Sequence, residues 1–233
     1  MGQTMSTPQA YEQLQSAILE GDISRATEAG EAFVKDLPGL AQAVDTAIET
    51  IRTVGDLFGL GEIYLPELML AADAMLAFMG VVGPHLAEVG RASKATSKVV
   101  LGTVKGDIHS IGKDLVGTML RASGFEVIDL GVNVAPMDMI KTADQTGAKV
   151  IALSALMTTS MPYQREVVEL ITALEKRKNY WVIVGGGPVT AEYAKKISAN
   201  GWATSAAGAA ALCERLLGSG QSPDTAEFVM EAK

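Results

Sequence analysis

The sequence predicts an α/β chain of two unlike domains, a four-helix bundle followed by a doubly wound parallel sheet of five strands. Three observations predict it. Up to about residue 90, apolar residues recur at helical spacing with no convincing strand. From Val99 onward, short β-branched runs alternate with helical stretches. Between the two, the segment GRASKATSK from Gly90 to Lys98 is small, polar and basic, as a linker should be. The expected bounds are residues 1–90 for the helical domain, 91–97 for the linker, 98–218 for the α/β domain and 219–233 for a tail.

The helical elements follow in order. Thr7-Pro8 is a start signal, because a threonine oxygen caps a first turn and proline is pre-set for the first helical position. Leu14 and Ile18 then share a face. Gly21-Asp22 ends that helix and caps the next, which is expected to bury Ala26, Ala29 and Phe33. Pro38 opens a third segment with Leu40, Val44, Ile48 and Ile51 at helical spacing, and Gly55 to Gly61 reads as a glycine-rich turn. A long helix starts near Pro66. Short loops between amphipathic helices make an antiparallel bundle.

In the second domain the strands are expected at Val99–Val104, Phe125–Leu130, Val150–Ser154, Trp181–Val184 and Trp202–Thr204. The first is followed by a glycine loop and a helix from about Lys113 to Arg121. Such alternation places helices on both faces of a parallel sheet, whose ligands bind at the carboxyl ends of the strands. The tail from Gly218 reads as flexible with a short terminal helix. No repeat of solenoid period appears.

Composition narrows the function. With 48% apolar and 20% charged residues in 233, a sizeable core is available. A net charge of -8 argues against nucleic acid as a partner, since phosphate neutralisation needs clustered Lys and Arg. The single cysteine, Cys213, excludes an internal disulfide and a Cys-rich metal site. No uninterrupted apolar run reaches the ~18 residues of a membrane helix. The most hydrophobic stretch, Leu65–Val82, contains Glu67 and Asp73 and reads as a buried helix. No secretory signal opens the chain, and Met1-Gly2 with Ser6 fits a myristoylation pattern too short to weigh against a simple leader. The expectation is a cytoplasmic protein without a membrane or nucleic-acid partner.

The chemistry concentrates in the run Gly106-Asp107-Ile108-His109-Ser110-Ile111-Gly112, which follows the first strand. There His109 is well placed to coordinate a ligand, and Asp107 could bond its other ring nitrogen, fixing the tautomer and raising its basicity. A lone histidine does not hold a bare ion. A metal already held by a macrocycle needs only one protein ligand. Two further signatures end later strands: Ser154-Ala155-Leu156 and Gly185-Gly186-Gly187.

Taken together, Asp107-x-His109-x-x-Gly112, Ser154-x-Leu156 and Gly185-Gly186 resemble the signature of the cobalamin-binding domains of methionine synthase and the corrinoid methyltransferase proteins. The flanks are similar too, at Gly112–Val116, Gly124–Gly131 and Ser154–Thr159 (SALMTT), and Tyr64-Leu65-Pro66-Glu67-Leu68 resembles that family's helical cap. The similarity covers nearly the whole chain. It implies a Rossmann-like (flavodoxin-like) sheet domain behind a cap.

For the site, the resemblance implies a base-off, histidine-on cobalamin or related corrinoid, loaded as methylcobalamin. The cofactor's benzimidazole leaves the cobalt for a slot beside the sheet, and His109 ligates the metal with Asp107 and Ser160 as its hydrogen-bonded relay. Gly106, Ile108, Ser110 and Gly112 complete the cofactor loop. Ser154, Leu156 and Thr158 would meet the nucleotide tail or corrin, and Gly185 and Gly186, like Gly112, would let backbone approach a bulky ligand. Departures lie at Ser110, often Asp in relatives, near the segment Asn200–Ser205, where relatives carry acidic residues, and at Ser160, which stands for a family threonine and keeps the hydroxyl.

For function, the resemblance implies a methyl carrier that is not an autonomous enzyme. A donor-specific methyltransferase would load the cobalt, an acceptor methyltransferase would unload it to a tetrahydrofolate-type pterin or thiol coenzyme, and a reductive activase would rescue it. The donor is left open among methanol, methylamines, glycine betaine and methoxyaromatics. Two alternatives compete: a cobalamin-dependent sensor or light-responsive regulator, a class that usually adds a DNA-binding module, and the small subunit of a cobalamin mutase, which needs no cap. His85 reads as structural or exposed. Gly185–Gly187 lacks the Lys-Ser/Thr ending of a phosphate loop. Leu68, Leu70, Met75, Leu76, Phe78 and Met79 read first as core, with a few of them a lid over the corrin by the resemblance.

Overall fold

The structure, a computed structural model, describes residues 7–35, 37–85 and 97–231. The leader with Gly2 and Ser6, the side chains of Thr7 and Pro8, and nearly all of the linker expected at 91–97 lie outside the described residues. Two compact units emerge, one of helices and one built on a sheet.

The helical unit comprises α1 (Thr7–Leu19), α2 (Ile23–Lys35), α3 (Leu37–Leu60) and α4 (Leu65–Val82). Leu14 and Ile18 of α1 are fully buried, and Tyr11 packs its ring against Phe33 of α2 at 5.0 Å between centroids. On α2 the buried face is Ala26, Gly30 and Phe33, with Ala29 only half-buried. The expectation of a buried Ala29 is thus corrected by close helix approach: a β-carbon at Gly30 would stand 3.0 Å from Cβ of Val81, next to α4. On α3, Leu40, Val44 and Ile51 are buried while Ile48 is half-buried.

A second correction concerns Gly55 to Gly61. Gly55 and Gly59 lie inside α3, and only Gly61, at φ +76°, makes the turn. A mid-helix glycine costs about 1 kcal/mol, less than what the buried face around Val54 returns. The next helix, α4, opens where the Tyr64 N–H donates to Glu67 Oε2 at 2.7 Å, with Pro66 in the first turn. Of the cap candidates, Leu68, Met75 and Phe78 are core, Met79 is half-buried, and Leu70 and Leu76 are exposed, beside exposed Met69. By length and composition alone Leu65–His85 could cross a membrane, but its Leu68–Ala71–Met75–Phe78 face is buried inside the bundle.

The second unit runs β1 (Lys98–Thr103), α5 (Ile111–Ala122), β2 (Glu126–Asp129), α6 (Pro136–Thr146), β3 (Val150–Ser154), α7 (Met161–Ala173), β4 (Trp181–Gly185), α8 (Ala191–Lys196), β5 (Gly201–Ala203), α9 (Ala206–Gly218) and β6 (Val229–Glu231). All strands are parallel, in the order β2-β1-β3-β4-β5-β6. The sheet thus has six strands where the sequence predicts five. The tail does not close on a helix: it supplies β6, because Val229–Glu231 can complete the free edge of β5, with Gly201 opposite Val229. Asn200 Nδ2 donates to Pro223 O at 2.7 Å and holds the approach to that strand.

Strands β3 and β4 each bury four successive apolar residues because they are covered on both faces. On one face, Met139 and Ile140 of α6, Val167 and Ile171 of α7 and Ile197 beyond α8 pack on Val100, Ile151, Val182 and Val184. Chain order reverses between β1 and β3, which opens a crevice at their carboxyl ends.

Candidate functional site

Register brings the three signatures together. Thr103 pairs with Ser154, and Ser154 with Gly185, so β1, β3 and β4 release their loops at one level of the sheet. The first loop turns at Gly106, whose φ of +78° favours glycine. Its N–H donates to Asn133 Oδ1 at 2.8 Å, the Asn133 N–H returns to Asp107 O at 2.9 Å, and Thr103 Oγ1 donates to His109 O at 2.8 Å. The loop is thereby sewn to the segment after β2 before it reaches any ligand.

Asp107 is the hub of the site. Its side chain is fully buried. Oδ1 accepts from His109 Nδ1 at 2.7 Å and from the His109 N–H at 3.1 Å. Oδ2 accepts from Ser160 Oγ at 2.7 Å and from the N–H groups of Leu156 at 2.7 Å and Met157 at 3.2 Å. One carboxylate thus joins the loop after β1 to the loop after β3. Burial by itself would raise its pKa, but the donors from Ser160, His109 and Leu156 outweigh burial and hold the carboxyl far below the usual carboxylate range. It is an anion at any physiological pH.

An ionised carboxylate only accepts, so the proton of the neutral His109 ring sits on Nδ1 and Nε2 keeps its lone pair. The His109 side chain is 47% exposed, unlike its partner. Among the described residues no three His, Cys, Asp or Glu side chains converge on a metal position. A single imidazole such as His109 could ligate only a metal that other groups already hold.

The remaining residues divide into two groups. Ser160 stands at the N-terminus of α7, yet its hydroxyl makes no helix-cap bond, because Asp107 Oδ2 and Met157 O lie at 2.7 and 2.8 Å instead. Ser154 is half-buried at the end of β3, and its carbonyl accepts from Val104 N–H at 3.0 Å. Ser110 is half-buried and its carbonyl starts α5 through Asp114. Ile108, Leu156 and Thr158 are exposed on the two loops that Asp107 joins, with Ile108 at 76%. Ser154 and Thr158 have no side-chain bond to the Asp107 hub.

The glycines separate as well. A β-carbon at Gly112 or Gly185 would meet nothing within 4 Å, so both positions border open space. Gly186 differs: at φ +123° its β-carbon would fall 1.9 Å from Ala155 O, so the protein itself demands glycine there. Sequence reasoning missed Asn133, Thr103 and Gln164. Asn133 has φ +55°, a conformation Asn tolerates, and it follows Gly131 in a turn. Gln164 stands in helical step with buried Val167, Val168 and Ile171, a pattern that places it inside.

Comparison with known proteins places the chain in a family. Residues 97–212 match the B12 binding domain model, and residues 10–82 match a second B12 binding domain model. A corrinoid protein of Desulfitobacterium hafniense is 37% identical over 209 residues, covering 89% of this chain and 97% of that protein. Dimethylamine corrinoid protein 1 of Methanosarcina acetivorans is 44% identical over 167 residues, covering 72% of this chain and 78% of that protein. Among solved structures, a cobalamin-binding protein from Desulfitobacterium hafniense aligns at TM-score 0.74 and 27% identity, over 91% of this chain and 98% of that one. The methanol:cobalamin methyltransferase complex of Methanosarcina barkeri aligns at TM-score 0.73 and 26% identity, over 95% and 84%.

Proposed function

Since the chain belongs to the B12-binding corrinoid proteins, we propose that it carries a methyl group on a base-off, histidine-on corrinoid between a donor-specific methyltransferase and an acceptor methyltransferase. The observation that carries this reading is the 2.7 Å bond between Asp107 and His109 Nδ1, which leaves Nε2 free and half-exposed among open-rimmed loops. When bound, the corrinoid supplies a cobalt centre able to accept and release a methyl group.

The chain's own residues would do the rest. His109 would hold the metal through Nε2. Asp107 fixes the ring and keeps the proton at Nδ1, and a carboxylate behind the ring makes Nε2 a stronger donor to a metal. Ser160 holds Asp107 from its buried side, so proton exchange with solvent passes through the histidine end of the chain rather than the serine end. Gly112 and Gly185 leave room for the ligand, with Ile108 and Leu156 as apolar surface beside it, while Gly106 shapes the loop. Ser154, Ser110 and Thr158 supply hydroxyls at the rim.

Several relatives carry names of dimethylamine and trimethylamine corrinoid proteins. They make a methylamine the donor class we propose, with a pterin or thiol coenzyme as acceptor, a reductive activase as accessory partner and the cytoplasm as the compartment. Reconstitution with methylcobalamin should give a base-off, histidine-on absorption spectrum that His109→Ala loses. An unchanged spectrum in that variant refutes the ligand assignment. Methyl transfer from dimethylamine in the presence of a cognate methyltransferase tests the donor, and transfer from methanol alone would redirect it.

A further inference from the structure

His109 stands outside helix and strand, so no ladder of backbone bonds fixes it. Three hydrogen bonds hold it instead. Its N–H and its ring Nδ1 both donate to Asp107 Oδ1, at 3.1 and 2.7 Å, and its carbonyl accepts from Thr103 Oγ1 at 2.8 Å. The first two set the imidazole relative to Asp107, two residues back in the same loop. The third ties His109 directly to the sheet.

Thr103 makes a rigid post for that tie. It is the last residue of β1 and is fully buried. Its N–H donates to Gly131 O and its carbonyl accepts from the Val134 N–H, each at 3.0 Å, while on its other side it stands in register with Ser154 of β3. A β-branched side chain adds a restricted χ1, so the hydroxyl has little freedom to leave its partner. Asn133 and the loop after β3 hold the site at Gly106 and Asp107, whereas Thr103 holds it at His109 itself. Without the hydroxyl, the peptide after His109 is free to rotate. A ligand atom presented by a mobile backbone binds more weakly, because ordering that backbone costs binding free energy.

We propose that Thr103 is a positioning residue for the metal ligand: by holding the His109 carbonyl it sets where Nε2 is presented. The histidine-on form of a bound corrinoid then depends on a fully buried side chain that makes no bond to the imidazole. This rests on the corrinoid reading above.

A double-mutant cycle separates this role from a general structural one. Dissociation constants for methylcobalamin are measured for wild type, Thr103→Val, His109→Ala and the double variant. Thr103→Val removes the donor with little change of shape in a strand that suits valine. It should weaken binding about 5-fold when His109 is present and less than about 2-fold when His109 is already alanine. Equal losses in the two backgrounds overturn the proposal. Thr103→Ser, which keeps the hydroxyl, should restore both the affinity and the histidine-on absorption spectrum, and a serine variant as weak as the valine one also overturns it.

A measurement on the unliganded wild type needs no variant to fold. The Thr103 hydroxyl proton should exchange with solvent slowly enough to be seen by NMR, and a hydroxyl in fast exchange overturns the proposal. The wild-type spectrum with methylcobalamin is the control. If it lacks histidine-on features, the corrinoid reading has failed and the proposal goes with it, whereas a histidine-on spectrum with equal losses in the cycle isolates the failure at Thr103.

Discussion

A β-carbon on Gly186 would stand 1.9 Å from the carbonyl oxygen of Ala155 and 2.7 Å from its carbonyl carbon, at a backbone φ of +123°. The strand ends are in contact there, with no side-chain atom between them. Gly185, its neighbour, has no atom within 4 Å of the same position. The two glycines should therefore fail differently. Gly186→Ala should lower stability by about 2 kcal/mol or more, from a forbidden backbone region plus overpacking. Gly185→Ala should unfold like wild type yet bind corrinoid more weakly. Urea midpoints of the unliganded proteins and corrinoid titrations check both, and a Gly185→Ala protein that binds normally would place the ligand elsewhere.

The Asp107 hub makes a graded prediction. Ser160→Ala removes one of five donors and should cost about 1 kcal/mol. Asp107→Asn turns an amide nitrogen on donors that now lack an acceptor, so it should cost about 2–3 kcal/mol although it is nearly isosteric. Chemical denaturation of the unliganded chain reads both. An Asp107→Asn protein as stable as wild type would mean that the carboxylate is not the link between the two loops.

Part of this cluster is legible in the amino-acid sequence alone. His109 and Asp107 are two positions apart in a loop whose glycines announce a turn, and the apolar runs at Val150–Ser154 and Trp181–Val184 mark where the neighbouring loops leave the sheet. Register is not legible, because parallel pairing joins strands distant in sequence, and with it goes the alignment of Thr103, Ser154 and Gly185. Gln164 carries a readable signal in its spacing from Val167 and Val168, easily passed over because polar residues on helices are usually exposed. Gly55 misleads through propensity, which burial around Val54 overrides.

Tyr180 predicts a pH response on the alkaline side. Its phenol is 4% exposed and donates to Asp144 Oδ1, while Lys176 Nζ meets Asp144 Oδ2 at 2.5 Å. Burial, with the adjacent Asp144 carboxylate, pushes the phenol above its ordinary range. The unfolded chain then releases the proton first, so the stabilisation is complete below about pH 10 and drains away as pH rises toward the folded value. Tyr180→Phe should be less stable at neutral pH, and its deficit should shrink above about pH 10. A deficit constant with pH would show that the phenol titrates normally.

Cys213 serves as an internal reporter of unfolding. It is the chain's single cysteine, fully buried on α9, and burial first, then Glu214, raises its thiol well above the ordinary value. A neutral, enclosed thiol is unreactive. Disulfide-exchange reagents should label none of it in the native protein and one thiol per chain once urea has melted the sheet unit. Labelling that runs ahead of the loss of far-ultraviolet ellipticity would show α9 opening on its own.

The tail supplies the last prediction. Its composition suggests dispensable polymer, yet Val229–Glu231 pairs with Gly201–Ala203, Pro223 O receives Asn200 Nδ2, and Lys195 lies 5.2 Å from the Phe228 ring centroid. Truncation after Gly218 strips those bonds and bares the backbone of β5, leaving a new unpaired edge. The truncated chain should be less stable by about 2–4 kcal/mol, at about 1 kcal/mol per lost hydrogen bond, and should aggregate on warming. Corrinoid affinity should hold within a few-fold wherever the protein stays folded, because the sheet order places β6 two strands beyond β4, at the far edge from β1 and β2. Thermal melts and corrinoid titrations of the truncated chain separate the two effects, and a chain that melts like the full-length protein would make the sixth strand ornamental.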